Sequence, residues 1–121
     1  MDEKAFRYNI QDLADDMEVG LETLSSLYSE FFHEMKINIQ ESKALANNKD
    51  WDKLQRVIHN IKGISTCLNV NDIYFVSQQL DTDLKNQKFE NVLSNINSIN
   101  ELFNCTETDI REFFKNSGIT I

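Results

Sequence analysis

Apolar residues recur at intervals of three and four along most of the chain, the spacing that gathers them on one face of an α-helix. Ile10, Leu13 and Met17 give a short apolar edge behind Asn9, which stands where an N-cap belongs, with Asp12 three residues on. Gly20 breaks that pattern. A long helix is predicted from about Leu21 to Ala46, its stripe running through Leu21, Leu24, Tyr28, Phe31, Met35, Ile39 and Ser42, widened by Leu27, Phe32 and Ile37. Residues 47–50 read as a turn, with Asp50 as the cap of the next helix. Trp51 opens that helix, which carries Leu54, Val57, Ile58, Ile61, Ile64 and Leu68 on its buried side and closes at Asn69. Asn71 is placed as the cap of a further helix, with Ile73, Val76, Leu80 and Leu84 inward and Phe75 outside the stripe. After a turn at Asn86, Gln87 and Lys88, the last helix uses Phe89, Val92, Leu93, Ile96, Ile99, Phe103, Ile110 and Phe113, with an interruption expected near Asn104 to Thr106. The expectation is an all-α fold: an antiparallel up-and-down four-helix bundle with a short additional N-terminal helix, over residues 9–121, preceded by a flexible segment 1–8.

Composition narrows this picture. A length of 121 residues suits one domain with a proper core. The chain has no Pro and only three Gly, fewer turn residues than a β-rich fold needs. A net charge of −8 disfavours nucleic acid and anionic membranes as partners, since both are held by basic surface. No apolar run approaches the roughly 18 residues of a spanning helix, and the first residues lack the apolar core of a signal peptide, so cytoplasmic residence is the expectation. Cys67 and Cys105 have no zinc-ligand spacing and are expected as free thiols.

The candidate chemistry lies on the third predicted helix. His59 falls about 160° from the centre of that helix's apolar cluster, so its imidazole is expected to face water. Gln55 and Arg56 share its face one turn earlier, Lys62 and Gly63 one turn later, and Thr66 beyond. An interior helical Gly costs about 0.8–1 kcal/mol relative to Ala, so Gly63 calls for a reason. An outward imidazole with a cation on one flank and open space on the other suits reception of a phosphoryl group. Imidazoles titrate near pH 6.5 when unperturbed, so the neutral, nucleophilic form dominates near neutrality. Arg56 is open to either of two tasks, holding partner carboxylates or pairing with Asp52.

His59-x-x-Lys62-Gly63, followed by Leu68 in a long helix of a small acidic all-helical chain, resembles the histidine-containing phosphotransfer (HPt) domain family. The likeness extends from about Ile10 to Phe114 and includes the Asp-Trp-Asp start at Asp50 and the Leu80-Asp81 pair. This chain departs from the family pattern at Ile64, where a small residue is common, and at Asn69, where Gly is common. The resemblance implies relay of phosphoryl groups between receiver-domain aspartates through His59, with Lys62 stabilising the phosphate charge and Gly63 giving steric access. It implies that Asp81, at a place where the family has Glu or Gln, orients the imidazole, and that the short first helix takes part in docking. Gln55, Arg56 and Thr66 are expected on the partner-docking face. The implied partners are response-regulator receiver domains and a hybrid histidine kinase; the chain itself is expected as a monomer without cofactor, with Mg²⁺ on the receiver.

Other chemistries find little support. Glu30 and His33 form a Glu-x-x-His pair like that of di-iron bundles, but no second pair exists and both fall opposite their helix's apolar stripe. Gly20, Gly63 and Gly118 are isolated, so there is no phosphate-cradling loop and no autonomous kinase is expected. The rival reading is a non-catalytic helical-bundle adaptor, or an anti-sigma-like regulator, that binds a signalling partner without phosphotransfer.

Overall fold

A computed structural model describes residues 9–121; the segment expected to be flexible, 1–8, lies outside them. Five helices form: α1 (Ile10–Met17), α2 (Leu21–Asn47), α3 (Trp51–Cys67), α4 (Asn71–Lys85) and α5 (Val92–Asn116), with no strand among the described residues. Asn9 starts α1 as its spacing predicts: its side chain accepts the Asp12 amide at 3.1 Å and donates to the Asp12 carboxylate at 2.8 Å. The other caps differ from expectation. Asp50 precedes α3 but makes no capping hydrogen bond, its carboxylate lying 3.8 Å from Lys53 Nζ instead. Asn71 is already helical, and Val70 holds the N-cap place without a side-chain bond.

The links are closed by backbone, not by glycine. Lys49, Asn69 and Gln87 adopt left-handed φ values of 56°, 58° and 59°, one after each of α2, α3 and α4. Behind them Asp50 N reaches Leu45 O at 2.9 Å, Val70 N reaches Ser65 O at 2.9 Å, and Lys88 N reaches Asp83 O at 2.8 Å. These are the six-to-one bonds of the Schellman ending, which satisfies carbonyls that a helix end leaves unpaired. Asn69 thus closes α3 in the conformation its side chain tolerates.

α2 packs on α3 and α5, α4 packs on the same two, and α1 lies on α2. Short links at 48–50, 68–70 and 86–91 join the four long helices, and the fold is a helical bundle. Tyr28, Phe31 and Phe32 of α2 meet Phe103 and Phe114 of α5 in an aromatic core. Tyr28 also donates its hydroxyl to Leu68 O at 2.9 Å, tying α2 to the end of α3. At the other end Trp51 stacks on Phe89 with centroids 4.4 Å apart. Four apolar expectations shift: Met17, Leu27, Ile37 and Leu93 are exposed, because the stripes of α1, α2 and α5 are narrower than the sequence suggests. α5 begins at Val92, leaving Phe89 in the link, and runs unbroken through Asn104–Thr106. Thr106 is fully buried there and continues the stripe between Phe103 and Ile110.

Candidate functional site

α3 is fixed by what it buries. Leu54, Ile58, Ile61 and Ser65 point into the bundle, so the residues half a turn away must face out. The His59 side chain is accordingly 68% exposed. Gly63 is exposed too, and a Cβ added there would meet nothing within 4 Å. No neighbour among the described residues therefore requires glycine at this position.

Asp81 is the second part of the site. It follows Leu80 on α4 and turns toward α3, where its side chain is only 2% exposed. Its Oδ2 lies 3.1 Å from Lys62 Nζ, 3.4 Å from Lys85 Nζ and 3.8 Å from His59 Nδ1. Gln55 Nε2 donates to its Oδ1 at 3.4 Å. Burial raises the Asp81 carboxyl, but hydrogen bonds from Lys62 and Gln55 and the charges of Lys62 and Lys85 outweigh it. The group is left below the ordinary aspartate value, and it is an anion at neutral pH.

A family model described as Hpt domain matches residues 26–108, most of the chain and all of this cluster. The chain belongs to the Hpt domain family. Among curated proteins and among solved structures, no significant match was found. Hpt domains are helical bundles that act as phosphotransfer intermediates, not kinases, and they interact with receiver domains of response regulators and with kinases.

Within this Hpt domain the sequence-predicted residues separate into two groups. His59, Gly63, Arg56 and Thr66 lie on the exposed face of α3 as expected. Lys62 and Gln55 do not belong to that open face. The Lys62 side chain is 19% exposed and is held on Asp81, and Gln55 is half-buried against the same carboxylate. The reason is the anion across the α3–α4 contact, which a helical wheel drawn on α3 alone does not contain. Asp81, expected to flank the α4 stripe, is itself buried at the hub. Arg56 forms no ion pair with Asp52 among the described residues, which leaves its guanidinium on the exposed face. Ile64, expected on the buried side, is half-buried.

Lys85 is a member of the cluster that the helical pattern did not single out. Its signal was the i, i+4 spacing from Asp81, which places a cation one turn beyond the acid on the same helix face. Glu30 and His33 are both exposed, and no group of three or more His, Cys, Asp or Glu among the described residues is arranged to hold a metal. No helix among the described residues is long and apolar enough to cross a membrane.

Proposed function

We propose that this Hpt domain relays phosphoryl groups through His59, taking one from the aspartyl phosphate of a receiver domain and passing it to another. The observation that carries the reading is an exposed imidazole whose Nδ1 faces a buried carboxylate already bonded to a lysine one turn away. Asp81 favours the tautomer with the proton on Nδ1, which leaves the Nε2 lone pair directed outward. Nε2 attacks phosphorus in line; the N–P bond forms as the P–O bond to the receiver's aspartate breaks, and that electron pair leaves with the carboxylate. The ring gains positive charge, which Asp81 balances. Lys62, anchored beside it, supplies charge to the equatorial oxygens, and Gly63 leaves room for the incoming active site. Any Mg²⁺ is assigned to the receiver.

A shallow, mostly apolar groove of about 290 Å³ borders this face, lined by Met17, Leu27, Phe31, Ile64, Cys67 and Leu68 from α1, α2 and α3, with Glu30 and Glu34 also in its wall. It supports docking of the receiver across the first three helices, with Arg56 and Thr66 at the His59 end. We take the chain as monomeric and cytoplasmic. The test is incubation with a phosphorylated receiver, followed by assay for phosphate that is acid-labile and base-stable. His59→Gln is expected to abolish it. A chain that binds the receiver yet takes up no phosphate would instead be an adaptor.

A further inference from the structure

We propose that Lys85, on α4, is a second phosphate-facing cation, which leaves Asp81 for the phosphoryl group when His59 is loaded. This rests on His59 being the phosphoacceptor. One carboxylate oxygen of Asp81 serves Lys62 at 3.1 Å, Lys85 at 3.4 Å and the imidazole at 3.8 Å. Two ammonium groups thus share one anion, and the resting cluster carries one positive charge in excess. A phosphoryl group on the ring adds nearly two negative charges within reach of both.

The two lysines differ in freedom. Lys62 is mostly buried and makes the shorter bond, so it stays with Asp81. Lys85 is 58% exposed, its bond is longer, and its stem borders an open cleft of about 480 Å³ that also touches Trp51, Gln55 and Phe89. Turning outward breaks one ion pair whose lysine is already mostly in water, and opens no buried gap. Asp81 keeps its partners in Lys62 and Gln55. Arg56 is the competing cation; it is exposed, and nothing among the described residues holds its guanidinium at the ring.

The step requires no new bond chemistry. The N–P bond forms and the P–O bond to the donor breaks as above, and Lys85 exchanges one oxygen partner for another.

The test loads the full chain with phosphoramidate, whose P–N bond breaks as the His59 N–P bond forms, and follows the phosphohistidine by ³¹P NMR against pH. The phosphoryl ionisation midpoint is expected to rise by about 0.5 in Lys85→Gln, the direction set by losing a nearby cation, and to return in Lys85→Arg. Transfer from a phosphorylated receiver is expected to slow about tenfold in Lys85→Gln, less than the loss of a dry oxyanion-hole donor because Lys85 is exposed. An unchanged midpoint in a folded Lys85→Gln chain overturns the proposal. The wild-type chain gives an answer without any variant: the Lys85 ammonium ¹⁵N resonance must move on phosphorylation, and one that stays put also overturns it. If the wild type takes up no phosphate, or His59→Gln still does, the phosphoacceptor reading fails and this inference with it.

Discussion

Lys62 Nζ stands 3.1 Å from Asp81 Oδ2, so the cation that the sequence puts beside His59 is anchored on the neighbouring helix. That bond makes the proposed phosphoacceptor face a property of two helices. It also couples the site to the packing of α3 against α4, because the anion is buried at their contact.

Asp81→Ala should therefore weaken both fold and function. Removing a buried carboxylate from its donors costs about 1–3 kcal/mol, at the low end here because Lys85 and much of His59 can turn to water. Urea unfolding of the two chains at pH 7 measures the loss, and phosphoryl uptake from a receiver should fall in parallel. Unchanged stability would show that the Asp81 contacts contribute nothing net.

The same carboxylate sets an acid limb. Its folded pKa lies below the unfolded value of 3.8, so its stabilising share is fully present above that value and is lost as pH falls through the folded pKa. The stability gap between wild type and Asp81→Asn should be constant from pH 7 to about 5 and should close below about pH 4. Urea midpoints taken across that range decide it; a gap that widens on acidification would contradict the assignment.

Gly63 offers substitutions of opposite sign. Open space on its side of the helix lets Gly63→Ala gain helix propensity, raising stability by about 0.5–1 kcal/mol. A larger residue, as in Gly63→Leu, should fold equally well yet slow phosphoryl uptake by obstructing the partner. Thermal melts and receiver transfer assays, read together, test both halves.

Ser65 is fully buried, and its hydroxyl has no hydrogen-bond partner among the described residues. Ser65→Ala should stabilise the bundle by about 1 kcal/mol, the desolvation of an unmet hydroxyl being relieved without a large cavity. A destabilised variant would point to a buried water bonded to Oγ.

The left-handed endings give a further check. Gln87 holds a φ of 59° behind α4, where a non-glycine residue costs about 1–2 kcal/mol. Gln87→Gly should recover part of that, about 0.5–1 kcal/mol after the entropy of glycine is counted, visible as a raised Tm.

The residues of single helices were legible in advance. Periodicities of three and four placed α1 to α5, and they set His59 outward because Leu54, Ile58 and Ile61 had to go in. Asn9 and Asn69 announced their ends through side chains suited to a cap and to positive φ. These are local choices, governed by one helix meeting water on one side and a core on the other.

What lies between helices was decided only by the tertiary structure. Which flank of α4 meets α3 depends on how the two helices rotate about their axes, and that rotation buried Asp81 and drew in Lys62, Gln55 and Lys85. Likewise Leu27, Ile37 and Leu93 fit their stripes on paper but are left exposed by the packing of the described helices. A wheel assigns each residue an angle on its own axis; the electrostatic partner at that angle comes from another part of the chain, and only packing brings it there.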